Sequence, residues 1–470
     1  MKKNYAKFNF NELKVLFGED IRFSADGDSV FTGVSTDTRT IETGNIFVGL
    51  KGENFDGNSR VNEAFAKGAA IAILDIDYYD ANREKIGNNQ VIAVKSTLQA
   101  LGRLARFHRD RFTLPVIAIG GSNGKTTTKE MCSAILAAKY NVLKTEANYN
   151  NQIGVPLTLL QLDNTYEIAV IEIGTNEPGE IATLTSIVQP THGLLTNIGR
   201  EHLEKLLNLD GVEMEETFLF GHLKKQNGLA FLNLDDERIK KYRRILDKNL
   251  TYGTDKETEI HATVTFNEKL QAHLSITDKS LNGDGERTLE IKLNATGYAA
   301  AQNAIAAVAV GIQLAVPISD IIATLEKYTQ DDSHGYARMV LQEANGVKIL
   351  NDCYNANPDS MRMALLTLKE IQTDGKKFIA LGDMRELGDA SEEEHISLLN
   401  ECIVHFENIF VIGAEMNSAA KKINSNNIKS FDTHKELYDT LKTELARGDT
   451  ILVKGSRGME MERIIKFLTE

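Results

Sequence analysis

The sequence predicts an α/β protein of three domains, on three observations. Its 470 residues exceed what one hydrophobic core usually organises and fit two to four domains. Short apolar runs of strand length alternate with stretches of helix length over most of the chain, as mostly parallel sheets with helical crossovers require. The pattern changes character near residues 96 and 332, which divides the chain into 1–96, 97–331 and 332–470.

In the first domain the apolar residues of 1–18 are spaced as in an amphipathic helix. Residues 45–50 and 70–74 read as strands, with a helical stretch at 59–67 between them. Residues 97–111 form an amphipathic helix that leads into the second domain. There, 114–120 is a short apolar run of the buried parallel kind, followed by a Gly-rich turn and a helix over 126–138. Residues 168–173 and 193–196 are further buried strands. Residues 251–293 alternate polar and apolar side chains around the turn signal Asn282-Gly283-Asp284-Gly285, which predicts an antiparallel appendage. An Ala-rich helix over 299–314 stops before Pro317, whose ring excludes helix continuation. In the third domain, strand runs at 347–350, 378–381, 409–412 and 450–453 alternate with helical segments and predict a doubly wound, Rossmann-like sheet.

Composition narrows the function classes. Hydrophobic residues make up 42% and charged residues 25%, ordinary for a globular protein with no need of a metal or disulfide staple. A net charge of −13 argues against a general nucleic-acid or anionic-membrane binder. The three cysteines, Cys132, Cys353 and Cys402, are widely separated and form neither a disulfide framework nor a zinc-ligand cluster. The N-terminus lacks the apolar core and cleavage site of a signal peptide, and no run approaches the roughly 18 apolar residues of a membrane span. The expected compartment is the cytoplasm, with no membrane insertion.

One motif carries explicit chemistry. Gly121-Ser122-Asn123-Gly124-Lys125-Thr126 stands between a buried strand and a helix, the setting of a phosphate-binding P-loop. Glycines let backbone N–H groups turn toward phosphate oxygens, and the helix N-terminus adds partial positive charge. Lys125 can reach the terminal phosphates, and the Thr126 hydroxyl can ligate Mg²⁺. The full motif places a glycine five residues before Gly124; Ile119 stands there, so the match is to the shorter form. A P-loop alone does not separate kinase, motor, GTPase and ligase.

Further runs carry a family resemblance. Gly121 to Thr127 resembles the nucleotide loop of the Mur ligase family. The run 145–151 with Gly154 and Pro156 resembles that family's substrate-side loop. The run 172–181, then 196–199 with His202-Leu203-Glu204, is similar to its magnesium-binding segments. Ser35-Thr36-Asp37-Thr38-Arg39, 47–52 and Phe55-Asp56-Gly57 resemble its UDP-sugar-binding domain. Asn351-Asp352-Cys353-Tyr354-Asn355-Ala356-Asn357-Pro358-Asp359-Ser360, with 381–388 and Lys454-Gly455-Ser456-Arg457, is similar to the branch that adds D-alanyl-D-alanine. The runs span nearly the whole chain in the family's order.

The resemblance implies a small UDP-sugar-binding domain, a central P-loop ATPase domain and a Rossmann-like ligase domain. It implies ATP-dependent amide formation through an acyl phosphate, with ATP and Mg²⁺ as cofactors. The implied partners are small molecules, UDP-N-acetylmuramoyl-tripeptide and D-alanyl-D-alanine, acting on a monomer. Thr127, Asn303 and Arg338 join the P-loop residues in the implied ATP site. The implied substrate contacts are Ser35, Asp37, Arg39, Lys51, Asn150, Asn151, Asp352, Asn355, Asn357 and Ser360. Lys125 would stabilise the transferring phosphoryl group, Thr126 and Glu172 would hold a first Mg²⁺, and His202 would help hold a second. Closure of the third domain on the second would exclude water from the acyl phosphate.

Two positions depart from the family. Many members carry a lysine, carbamylated by CO₂, fourteen residues after the motif histidine. Here Glu216 stands in its place, and we expect it to supply a permanent carboxylate to the second metal. A His-Asn pair usual near adenine is replaced by Ala299-Ala300, so other groups must hold the base. Two alternatives stay open at this point: a related ligase with a different carboxylate and amine, and a nucleotide-binding homologue without catalysis.

Overall fold

The computed structural model describes residues 3–268, 270–280, 286–329 and 338–469. The turn expected at Asn282–Gly285 and the boundary at 331/332 lie outside these residues. In the first domain, Ile46–Val48, Ile71–Asp75 and Val91–Val94 follow Val34–Ser35 side by side in a wholly parallel sheet. Lys7–Asn9 pairs antiparallel with Val30–Thr32. The helix expected across 1–18 is confined to Phe10–Phe17. Asn9 sets its start: its side chain accepts from Glu12 N, and the Glu12 carboxylate accepts from Asn9 N, both at 2.8 Å. The helical stretch expected at 59–67 begins as a 3₁₀ turn, Gly57–Arg60, before Val61–Ala66.

The helix Thr97–Arg109 belongs by packing to the middle of the molecule. Arg109 Nε donates to Val188 O at 3.2 Å, and the His108 ring meets Leu162 O at 2.8 Å. The central sheet has nine strands. Its parallel part runs in the order Val142–Lys144, Ile168–Glu172, Val116–Gly120, His192–Leu195, Leu229–Asn233, Asn249–Gly253 and Ile260–Phe266. Gln271–Asp278 and Arg287–Thr296 then add antiparallel strands. The antiparallel segment is therefore a continuation of the main sheet rather than a separate appendage. Its alternating pattern arises because one face meets the Ala-rich helix Tyr298–Gln313, while the other is open to solvent.

The third domain has a six-stranded sheet in the order Val340–Ala344, Val347–Asp352, Thr450–Lys454, Lys377–Gly382, Asn408–Ile412 and Ile428–Phe431. Only the first strand is antiparallel to its neighbour. One continuous apolar core reaches from Phe8 and Ile46 through Val116 to Leu350 and Leu452. Parallel strands place all their C-terminal ends at one edge. Those edges of the central and third sheets face a shared cavity, as expected for ligand sites in open α/β sheets.

Candidate active site

The cavity has a volume of about 730 Å³ and is walled by the second and third domains. The P-loop leaves Val116–Gly120, which sits mid-sheet between Ile168–Glu172 and His192–Leu195. Two turns with positive φ, Gly121 at 104° and Gly124 at 84°, make the loop possible. At Gly124 a Cβ would also lie 2.3 Å from Asn303 Oδ1. The loop is tied to its neighbours: Gly121 N donates to Glu216 Oε2 at 2.8 Å, Ser122 N to Asn197 O at 2.9 Å, and Asn123 N to Asn197 Oδ1 at 3.0 Å. Three amides expected to cradle phosphates are thus engaged inside the protein. Gly124, Lys125, Thr126 and Thr127, where helix Lys125–Ala137 starts, remain along the cavity wall.

Lys125 Nζ donates to Gly121 O and to Ser122 O, and meets Glu201 Oε2 at 3.3 Å. Burial opposes its charge, but Glu201, Glu216 and Glu172 outweigh burial and raise its pKa. Glu172 ends its strand with 1% exposure. Its Oε1 accepts from Thr126 Oγ1 at 3.1 Å and Asn150 Nδ2 at 2.9 Å. Lys129, which sequence reasoning missed, is fully buried behind it. The Lys129 ammonium lies 3.6 Å from Glu172 Oε2 and 3.0 Å from Glu130, and donates to Ala147 O at 2.9 Å. In sequence it is an ordinary helix lysine, and only the neighbouring strand and loop bury it.

His202 has a φ of 49° at the start of a short helix. Its Nδ1 lies 2.5 Å from Glu386 Oε2 of the third domain, and its Nε2 lies 3.8 Å from Glu201 Oε2. Burial disfavours its protonation, but the hydrogen bond to Glu386 and the charge of Glu201 prevail and raise its pKa. Glu216 is fully buried, and burial, against the pull of Lys125, pushes its pKa up to about 8. It lies beneath the loop, outside the cavity lining that includes Glu172, Glu201 and His202.

Across the cavity, Asp352 and Lys454 are register partners on adjacent parallel strands. Lys454 Nζ meets Asp352 Oδ2 at 2.5 Å and donates to Asn355 O at 2.9 Å, while Asp352 Oδ1 accepts from Met339 N at 3.1 Å. Asn357 and Ser360 line the cavity but form the capping box of helix Pro358–Glu370, so part of their bonding capacity is used in starting that helix. The Arg338 guanidinium lies over the Tyr354 ring, 3.9 Å from its centroid, and both residues, like Ala299 and Ala300, line the cavity. Asn303 accepts from Thr128 Oγ1 at 3.1 Å, and Asn151 Oδ1 accepts from Ile153 N and Gly154 N at 3.0 and 2.9 Å. Ser35, Asp37, Arg39 and Lys51 do not line the cavity. Ser35 bonds within its own turn, Arg39 pairs with Asp37 at 2.6 Å on the surface, and Lys51 is exposed.

The two domains are joined by polar contacts. Arg200 N and Nη1 donate to Asp359 at 2.6 and 2.9 Å, and Arg200 Nε meets Glu394 at 3.0 Å. Asn357 Nδ2 donates to Asn123 Oδ1 at 3.0 Å. Among the described residues no three His, Cys, Asp or Glu side chains converge as a ready metal cage. The Thr126 hydroxyl and the Glu172 carboxylate are nonetheless a hard-oxygen pair. Glu172 Oε2 is buried without a hydrogen-bond donor, so the donor set fits Mg²⁺.

Comparisons with known proteins agree with this geometry. Family models described as Mur ligase family, catalytic domain, Mur ligase middle domain, and Mur ligase, glutamate ligase domain match residues 30–109, 119–311 and 337–457. The chain is 34% identical over 455 residues to the UDP-N-acetylmuramoyl-tripeptide–D-alanyl-D-alanine ligase of Bacillus subtilis, covering 94% of each chain. It is 32% identical to the enzyme of that name from Escherichia coli, covering 94% of this chain and 95% of the other. Among solved structures, MurF from Acinetobacter baumannii superposes with a TM-score of 0.86 at 29% identity, covering 99% of both chains. MurF ligase from Thermotoga maritima in complex with ADP superposes at 0.80 and 27% identity, covering 93% of this chain and 96% of that one. The P-loop, the carboxylates around it and the third-domain wall are thus the parts of one scaffold, and the chain belongs to the Mur ligase family.

Proposed function

We infer that the protein is an ATP-dependent ligase that joins D-alanyl-D-alanine to UDP-N-acetylmuramoyl-tripeptide, releasing ADP and phosphate. The observation that carries this reading is the shared cavity, with a P-loop on one wall and the Asp352–Lys454–Asn355 cluster on the other. It occurs in a chain collinear with ligases of that reaction. The tripeptide carboxylate attacks the γ-phosphorus of ATP, the bond to the β-γ bridging oxygen breaks, and an acyl phosphate forms. The amine of D-alanyl-D-alanine then attacks the acyl carbon, phosphate departs, and the amine loses a proton. Lys125 stabilises the charge spread over the transferring phosphoryl oxygens. Thr126 and Glu172 would hold Mg²⁺, which when bound neutralises phosphate oxygens. Asn150, fixed against Glu172, and the Asp352–Asn355 cluster orient the two substrates on opposite sides of the acyl carbon. The seam through Arg200, Asn357 and Glu386 keeps the cavity walls together around the acyl phosphate.

The same reading divides the chain at 96/97 and 331/332, assigns Ser35, Asp37, Arg39 and Lys51 to the UDP-sugar end of the substrate, and describes a cytoplasmic monomer. No helix among the described residues is long and apolar enough to cross a membrane. The test is phosphate release by the purified protein with ATP, Mg²⁺, the tripeptide precursor and D-alanyl-D-alanine, omitting each in turn. Release that needs all four, with the amide product found by mass spectrometry, is the expected result. ATP binding without release coupled to both substrates would reassign the carboxylate and amine.

A further inference from the structure

Lys125 is surrounded by three carboxylates, Glu172, Glu201 and Glu216, exposed by 1%, 6% and 0%. Each keeps one buried oxygen without a hydrogen-bond donor: Glu172 Oε2, Glu201 Oε1 and Glu216 Oε1. Their surroundings differ. Glu172 and Glu201 line the cavity beside His202, whereas Glu216 lies under the loop. Glu216 Oε2 takes the amide of Gly121 at 2.8 Å, and a Cβ on Gly120 would fall 2.8 Å from that same oxygen. The Glu216 oxygen that takes the loop amide is thus committed beneath the P-loop, and Glu216 is not among the residues that line the cavity. The Gly121 amide, in turn, stands buried where the strand ladder stops, and Glu216 satisfies it.

The Glu201 side chain has the complementary setting. Its Oε2 faces Lys125 at 3.3 Å and His202 Nε2 at 3.8 Å, while its Oε1 is buried without a hydrogen-bond donor in a residue that lines the cavity. His202 is oriented from the other side by Glu386, whose carboxylate takes Nδ1. A carboxylate that accepts from one ring nitrogen fixes the ring's orientation and, in the neutral ring, leaves the other nitrogen, 3.8 Å from Glu201 Oε2, able to ligate a cation. The orienting carboxylate belongs to the third domain, so the contact between the two domains positions this imidazole.

Resting on the ligase reading, we propose that two acids of this chain divide the work: Glu216 is a positioning residue that holds the P-loop amide of Gly121, and Glu201, with His202, is the acid that meets a second divalent cation in the cavity. The place left by the family's lysine is thereby filled by a loop clamp, and the acidic function moves to Glu201.

The test uses full-length protein with Glu201→Gln, Glu216→Gln and Glu216→Ala, checked for folding by circular dichroism. ADP affinity is measured in EDTA, and Mn²⁺ is titrated into ADP-saturated protein while the free ion is followed by electron paramagnetic resonance. Glu201→Gln is expected to weaken or abolish one bound Mn²⁺ by about tenfold or more, with metal-free ADP affinity kept or increased. Glu216→Gln keeps the acceptor and should hold Mn²⁺ and ADP within about twofold of wild type, whereas Glu216→Ala should bind metal-free ADP about fivefold more weakly than the Gln variant. Loss of Mn²⁺ in Glu216→Gln but not in Glu201→Gln overturns the proposal, as does unchanged Mn²⁺ binding in Glu201→Gln. Equal ADP affinity in the two Glu216 variants refutes the clamp; if the Ala variant does not fold, the Gln and Glu201 results decide. No acceptor substrate enters these measurements. Failure of the ligation assay with these results intact would therefore count against the substrate assignment alone.

Discussion

Replacing Lys129 by methionine tests how the site keeps a buried carboxylate in place. Lys129 and Glu172 are 0% and 1% exposed and 3.6 Å apart. At an effective dielectric of about 20, that separation is worth about 4–5 kcal/mol of attraction before desolvation. Removing one partner of a buried pair leaves the other uncompensated, at a net cost of about 3–5 kcal/mol. Methionine fills similar volume, so little of the loss comes from a cavity. In a domain of this size each kcal/mol lowers the melting temperature by roughly 2–4 °C, so the variant should melt roughly 6–20 °C lower. The chain has no tryptophan, so calorimetry or circular dichroism is the suitable assay. A Lys129→Arg variant, which keeps the charge, should recover much of the loss. Glu172 freed of its ammonium should also bind Mn²⁺ more tightly. A melting temperature within about 2 °C of wild type would refute the reasoning, because Glu172 would then be held by Thr126 and Asn150 alone.

Three further outcomes follow from the same geometry. Lys454→Met removes the buried ammonium beside Asp352, leaving Met339 N as a donor to it, and should destabilise the third domain by about 3 kcal/mol or more in urea unfolding, with Asp352→Asn in the same background recovering part of it. Gly124→Ala places a Cβ 2.3 Å from Asn303 Oδ1 at a φ of 84°, and calorimetric titration should show ADP binding lost or weakened at least tenfold, by roughly 1.4 kcal/mol or more. Burial pulls His192 down to about 4 from an ordinary 6.5. Its unfolded form therefore takes up a proton first as pH falls, and about 3 kcal/mol of stability should be lost between about pH 6.5 and pH 4. His192→Gln should flatten that part of the pH–stability curve.

The parts of the fold legible in the sequence are those whose signal is local. The strand before the P-loop, the helix after it and the Ala-rich helix were bounded to within a residue or two, because an apolar run meets a glycine turn or a proline stop. Val34–Ser35 and Val142–Lys144 carry too few residues to show a period. In the site, Lys125, Thr126 and Glu172 follow from strand-to-loop position. Lys129, Glu201 and Glu386 do not, since each acts on a residue brought near by tertiary packing. The spacing of Glu216 after His202 is readable, but the direction of its side chain depends on how its helix crosses under the loop.

The first-domain residues assigned to the UDP-sugar end stand away from the cavity where the amide forms. On that proposed assignment, a substrate gripped at one end there and reacting at the other would have to bridge the gap, and the molecule would act as a ruler. A shorter precursor anchored by the same nucleotide would present its carboxylate before the P-loop is reached, and a longer one would overshoot it. Under the same assignment, discrimination by precursor length would need no dedicated side chain at the reacting carbon. It would be set by spacing between domains, which insertions and linkers could retune while the chemistry stays unchanged.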